Sequence, residues 1–296
     1  MTKFDTWESY FYPETYDGVA GVFRNQPGFK SAIELRVYEY QRVAARTAEL
    51  ASGRVQIPRT FDARHLRAIH RHLFQDVYEW AGEYRSVPMR KRPHVNSPVV
   101  SNFASPANIS RYLADTRRFV VSQRWATMTP DQFAGAAAHT YAYLNTAHAF
   151  REGNGRAMKM FLNQVSELSP YRIEFDELKS EVIAPAWNDL SARSTPPDRD
   201  TYEPRPVALE GMFRHMTRPA EEGPTWALNP ESPDEPAQLL KAPSPEPTPG
   251  LTNDVNDVTQ ALGAGIGRAE DVPPEQTPEV DLSPDVELPD PQGYER

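Results

Sequence analysis

Residues 148–156 bring together His148, Glu152, Gly153, Asn154, Gly155 and Arg156. An imidazole is the side chain best suited to taking a proton near neutral pH. A carboxylate is a hard oxygen ligand of the kind that holds Mg²⁺ jointly with phosphates. Two glycines around an asparagine let the backbone take positive φ and gather N–H groups into one concavity. Arginine forks onto phosphate oxygens. Met158, Phe161, Leu162, Val165 and Leu168 follow at helical spacing, predicting a helix from Arg156 to Leu168. The glycines then stand at a helix N-terminus, where open N–H groups and the dipole attract anions. Base, metal ligand, anion cradle and phosphate clamp within nine residues make a site for phosphate chemistry.

Helices must position that run. Thr129-Pro130-Asp131-Gln132 reads as a capping box with proline at the first helical position, opening a helix from Asp131 to Thr146. Its small residues, Ala134 to Ala138 and Ala142, predict close central packing, and Gly135 predicts the near approach of a neighbouring backbone. His139, on this helix, reads as a hydrogen-bonded core histidine. Further helices are expected over residues 30–50, with Gly53 as stop, and after Asp62, with Leu66, Ile69 and Leu73 on one face. Another opens at Ser105-Pro106 and runs to Arg124, one lies near Phe175–Ile183 and is bent or ended before Pro185, and one spans Val207–Met216. His65, His70 and His72 lack a carboxylate that would complete a ligand set, so they read as a solvated helix face and no metal is assigned there. Residues 4–29 read as an irregular segment over the core. Residues 86–102, with three prolines and the cluster Arg90-Lys91-Arg92, predict two short strands, 87–90 and 99–102, in a hairpin with a long tip.

The 296 residues carry no cysteine, which excludes disulfide frameworks and thiolate metal sites. The start lacks the pattern of a signal peptide, and no apolar run approaches the ~18 residues of a spanning helix. No membrane association is expected, and the expected location is the cytoplasm, with secretion into a host cell left open. The net charge of −9 is uneven: residues 1–218 hold 29 basic and 24 acidic residues, net +5, and residues 219–296 hold 3 and 17, net −14. The first part suits a nucleoside triphosphate but is not basic enough to imply direct nucleic-acid binding. The second part holds 15 of the 29 prolines and reads as a disordered acidic tail, with at most a transient helix over 252–268. A solubilising appendage, a docking arm for a partner and a secretion or transfer signal are the readings open for it.

The run His148-x-Phe150-x-Glu152-Gly153-Asn154-Gly155-Arg156 resembles the signature of Fic domains, which mostly transfer AMP from ATP to protein hydroxyls. Ala149 stands where that family usually has proline. Lys159 stands where the signature usually ends in a second arginine, keeping the charge without the bidentate fork. Phe74-Gln75-Asp76-Val77-Tyr78-Glu79-Trp80-Ala81-Gly82-Glu83-Tyr84-Arg85 also resembles Fic domains, in the stretch that precedes their flap. The resemblance implies an all-α Fic-type domain over 1–218, with its core at about 30–218 and a short β-hairpin flap. It implies that a target protein pairs as an added strand along that flap, at Val87, Met89, Arg90 and Val99.

By the same resemblance His148 takes the target hydroxyl's proton, Glu152 holds Mg²⁺, and Gly153 to Gly155 cradle the α- and β-phosphates of ATP. Arg156 clamps the outer phosphates with Lys159 beside it, and Phe150 anchors the loop. Many Fic enzymes are held off by a Ser/Thr-x-x-x-Glu-Gly/Asn helix. Glu-Gly occurs here at 152, 210 and 222, preceded four residues earlier by His148, Pro206 and Arg218, so that motif is absent from the sequence. This implies a toxin-like protein restrained by a separate small antitoxin, with a type II topoisomerase as the carried-over target class; an unregulated enzyme and a secreted effector stay open. The alternatives are Doc-type protein phosphorylation, AMP removal, and an inactive scaffold that binds through its tail. The intact Gly153-Asn154-Gly155 cradle speaks against the first, the lack of an inhibitory glutamate motif against the second, and intact His148 and Arg156 against the third.

Overall fold

Seven α-helices and two antiparallel strand pairs make up the described residues of the computed structural model, 4–93, 97–198 and 201–220. The central rod is α4 (Pro130–Ala147). Thr129 and Gln132 cap its start reciprocally, as the sequence predicts, with Pro130 in the first turn. Phe133, Ala134, Ala137, Ala138, Tyr141, Ala142 and Leu144 are all buried. The alanines let α3 (Ile109–Ser122), α5 (Asn154–Ser166) and α7 (Val207–Met216) pack against it. Gly135 does not mark that close packing: a Cβ there would meet nothing within 4 Å, and the residue faces a groove beside Met128 and His139. The predicted backbone approach is therefore wrong, because alanines alone supply the small-residue face.

A further helix, α2 (Ala63–Phe74), packs on α5 and is itself backed by α1 (Ala32–Ala51). Ser31 caps α1 by accepting from the Glu34 N–H, and Gly53, at φ +71°, ends the run. Asp62 caps α2, accepting from the N–H groups of Arg64 and His65. The amino-terminal segment is irregular, with two short 3₁₀ turns and a bridge between Phe11 and Phe23. It lies over the core, burying Trp7, Tyr10 and Phe11.

The hairpin pairs β1 (Arg90–Lys91) with β2 (Ser101–Asn102) in the register Arg90↔Asn102 and Lys91↔Ser101. Both strands are shorter than predicted. The Val87 carbonyl is taken by the Arg85 guanidinium and the Val99 N–H by the Ser97 hydroxyl, so neither group is left for the ladder. The second pair, β3 (Tyr171–Ile173) with β4 (Thr217–Pro219), has no counterpart in the sequence reading. The Ala220 N–H adds a bond to the Pro170 carbonyl at 2.9 Å, so the expected boundary at 218 falls inside a strand. Pro185 lies in the first turn of α6 (Ile183–Arg193) and so helps begin a helix it was expected to end. Residues 221–296, which hold nearly all of the acidic proline-rich segment, lie outside the described residues, as do 94–96 at the hairpin tip.

Candidate active site at the loop between α4 and α5

His148 is the residue at which α4 stops. Its N–H still bonds the Leu144 carbonyl at 3.0 Å, but its backbone has turned left-handed, φ +37° and ψ +57°. That conformation costs a non-glycine residue about 1–2 kcal/mol, so the surroundings must hold it. Arg85 does so by donating from Nε to the His148 carbonyl at 2.8 Å. Phe103 stacks on the imidazole, with centroids 3.6 Å apart and planes 9° from parallel. Nδ1 is buried, which leaves Nε2 to receive a proton from solvent-side partners. Burial, reinforced by the charges of Arg85, Lys91 and Arg151 and opposed by the Asn145 carbonyl, pushes the pKa well below the usual histidine range. His148 is therefore neutral near pH 7, the form a base needs.

The loop itself is over-determined. Phe150 is buried and stacks on His70 at 3.8 Å, which fits the anchoring role. The Asn154 side chain accepts from the Phe150 N–H at 2.9 Å and donates to the Phe150 carbonyl at 2.7 Å. That carboxamide is committed to closing the loop, so Asn154 can offer phosphate only its backbone. Gly153 has φ +81°, and a Cβ on it would run into the Phe74 ring and lie 3.1 Å from His70 Nε2. The first bond of α5 joins the Ala157 N–H to the Gly153 carbonyl, leaving the N–H groups of Asn154, Gly155 and Arg156 without a partner inside the helix.

The expected solvated histidine face is corrected here, since His65 and His70 are both buried. His70 accepts from the Gly82 N–H at Nδ1, 2.9 Å, and its Nε2 donates to the Glu152 carbonyl, also 2.9 Å. Burial pushes its pKa down to about 4, fixing it as a neutral brace. His65 bonds Gln164 of α5 at 2.5 Å. His139 stacks between Phe119 and Tyr143, with no hydrogen bond among the described residues.

Glu152 points its Oε1 at the Gly153 N–H, 2.9 Å, and at Arg156 Nη2, 3.4 Å. Burial acts to raise its pKa, but Arg156, the Gly153 N–H, Lys91 and Arg151 outweigh it and keep the carboxylate ionised. Oε2 has no hydrogen bond among the described residues, and the side chain is 45% exposed. Arg156 also pairs through Nη1 with Glu39 of α1, and Glu39 in turn accepts from the Tyr78 hydroxyl. Lys159 stands one turn on, half-buried, its Nζ 5.7 Å from the Phe175 ring centroid and its pKa lowered by burial.

Of the flap residues, Val87 and Met89 have buried side chains and cannot offer them to a target. Arg90 and Val99 line a cavity of about 550 Å³ with Asn102 and Thr195, and none of residues 148–159 lines it. Glu39, His70, Arg85, Phe103 and Arg151 all act on the loop without having been selected from the sequence. Arg151 is buried, its guanidinium 3.6 Å from the Trp7 ring centroid and 4.7 Å from that of Phe23. Burial lowers its pKa to about 10. Arg85 lay inside the second matching stretch, the one available signal for it; Glu39 offered none.

Among the described residues no group of three His, Cys, Asp or Glu side chains could hold a metal, and no helix is long and apolar enough to cross a membrane. Residues 60–166 match the Fic/DOC family. The chain is 33% identical over 180 residues to protein adenylyltransferase VbhT of Bartonella schoenbuchensis, a match covering 60% of this chain and 35% of that protein. It is 33% identical over 173 residues to the probable protein adenylyltransferase y4lH of Sinorhizobium fredii, covering 57% and 80%. Among solved structures it resembles the N-terminal Fic domain of a VirB-translocated Bep effector from Bartonella quintana, solved with bound ADP. That likeness has a TM-score of 0.57 at 25% identity and spans 72% of this chain and 96% of the other. The BepC protein of Bartonella tribocorum, solved with AMPPNP, shares the fold at TM-score 0.57 and 22% identity. The chain spans about a third of VbhT but most of y4lH, and on these matches it belongs to the Fic/DOC family.

Proposed function

We propose that the protein transfers AMP from ATP to a hydroxyl of a Tyr, Ser or Thr side chain on a target protein. The observation that carries this reading is a neutral His148 held next to a braced loop whose helix start presents three open N–H groups and an arginine. The target oxygen attacks the α-phosphorus, its proton passes to His148 Nε2, and the bond from the α-phosphorus to the bridging oxygen breaks, releasing pyrophosphate. The N–H groups of Asn154, Gly155 and Arg156 hold the phosphates in line, and positioning and charge stabilisation supply most of the rate in such transfers. The relatives named adenylyltransferases and the neighbours with bound ADP or AMPPNP support the nucleotide assignment.

Glu152 suits Mg²⁺: its carboxylate is ionised, half-exposed and open at Oε2, and lone carboxylates with nucleotide phosphates are a common way to hold this ion. When bound, the ion would neutralise phosphate charge. Arg156 reaches the outer phosphates by exchanging its Glu39 contact for them. The target presents its segment along β1–β2, where Arg90 and Val99 are half-buried while Val87 and Met89 are fully buried. A separate small antitoxin is the restraint that fits the lack of an inhibitory motif, and a type II topoisomerase is the target class to try first.

The test is intact-mass analysis of cell-lysate proteins incubated with this protein, ATP and Mg²⁺, beside a His148→Ala control. A gain of one adenylyl unit that the control lacks supports the reading. A phosphate-sized gain replaces it with phosphorylation, and no gain on any protein, with ATP binding intact, replaces it with a binding scaffold.

A further inference from the structure

The Arg85 guanidinium is buried, and it spends its donors on backbone carbonyls from three places at once. Nη1 donates to Val87 at 2.7 Å, three residues before β1. Nη2 donates to Ala104 at 2.5 Å, two residues after β2, and to Ala147 at 3.2 Å. Nε donates to His148 at 2.8 Å. Its own N–H bonds the Ala149 carbonyl at 2.9 Å. The Ala147 and His148 carbonyls are among the last orphan acceptors of α4, at the negative end of its dipole, where a buried cation is stabilised. The Ala104 N–H bonds the Thr146 carbonyl at 2.8 Å, and the neighbouring Phe103 is the ring stacked on His148. Both feet of the hairpin and the backbone of the histidine therefore meet on one side chain.

We propose that Arg85 is a positioning residue which ties the seating of the flap to the aim of the His148 imidazole. Its guanidinium is buried and donates to backbone carbonyls. It holds the left-handed turn at His148 and sets the Phe103 ring against the imidazole by fixing the strand end that carries it. Any shift of the flap feet is thereby transmitted to the base. The Gly153–Arg156 cradle is braced separately, by Asn154 and His70, so losing Arg85 should leave ATP binding in place.

The charges facing the imidazole are Arg85 itself, Lys91 from β1 and Arg151 from the loop. The experiment compares wild type, Arg85→Lys and Arg85→Gln, full-length, with ¹³C-labelled histidine. The His148 Cε1–H resonance is assigned by its loss in His148→Ala. In R85Q the signal should move downfield as the Phe103 stack loosens, and its pKa should rise toward the ordinary histidine value. In R85K the charge remains, so the pKa should stay low while the resonance still shifts. If the adenylyl transfer described above holds, kcat on the lysate protein found by mass analysis should fall about 100-fold in R85Q, with KM for ATP changed less than threefold.

The kcat arm rests on the transferase reading; the resonance arm does not. Wild type that transfers nothing, with both resonances shifted as stated, would sink the transferase reading and leave the positioning role standing. A His148 resonance unchanged in a folded R85K, or a resonance and pKa both unchanged in a folded R85Q, overturns the role. So does a loss that falls on KM for ATP instead of kcat. Should R85Q fail to fold, R85K alone decides, because it keeps the buried charge and alters only the fork.

Discussion

Replacing Gly153 with alanine tests whether the catalytic loop is held by contact or by sequence alone. The new Cβ would have to sit at φ +81°, which costs roughly 1–2 kcal/mol for a residue with a side chain. It would also press into the ring of Phe74, which is wholly buried and stacked on His70, so it has nowhere to retreat. Overpacking of that kind costs about 1–3 kcal/mol. The sum, about 2–5 kcal/mol, corresponds to a fall in Tm of roughly 5–15 °C for a folded unit of this size. Gly155→Ala is the matched control. Its Cβ would meet nothing within 4 Å, and alanine favours the helix by up to about 1 kcal/mol, so its Tm should hold or rise. Thermal unfolding followed by circular dichroism reads both variants. A G153A protein that melts within a degree or two of wild type would refute the argument, and so would equal losses in the two variants.

His148→Ala should lower transfer by about 10²–10⁴-fold while ATP binding, measured by calorimetry, persists; weakened ATP binding would mean that His148 shapes the cradle. With the His148 pKa depressed, activity should stay level from pH 8 down past 6.5 and fall only at lower pH, whereas a midpoint at 6.5 or above would contradict the burial argument. His70 is held neutral with a pKa near 4 against about 6.5 unfolded, so the unfolded chain binds the extra proton between those values. Stability should therefore drop as pH falls through that window, by about 3 kcal/mol from this residue, and an NMR titration that finds His70 charged at pH 6 would overturn it. Glu39→Gln removes the carboxylate that occupies Arg156 and should tighten ATP binding several-fold, about 1 kcal/mol given the partly exposed pair; weaker binding would make Glu39 an aligner instead of a competitor.

The candidate site residues were legible because they are contiguous and because helix starts and stops write themselves locally. The capping box at Thr129, the cap at Asp62 and the stop at Gly53 all lie where the sequence put them, whereas the cap at Ser31 was not foreseen. What supports those residues was not legible, since each support comes from far along the chain. Glu39 reaches Arg156, His70 reaches the Glu152 carbonyl and Arg85 reaches that of His148, and no spacing rule links such pairs. The histidines of α2 were misread because a helix touching three neighbours, α1, α3 and α5, hides more of its surface than one buried stripe implies. β3 and β4 are three residues each, too short for alternation to register. Pro185 could open or close a helix, and only packing decided which.

The stacking of Arg151 on Trp7 joins residues 144 positions apart. Closing so long a loop costs on the order of 4 kcal/mol in chain entropy before any contact rewards it. Trp7 therefore completes its packing only after the chain has been extended past Arg151. In the native state the same tie is expected to make residues 4–29 and the His148–Arg156 loop open together. Amide exchange at Phe150 and Ala157, whose N–H groups are bonded within the loop, should then proceed at the opening rate of residues 4–29. A mutation as remote as Trp7→Ala would leave every catalytic group in place and still set how long the loop stays assembled.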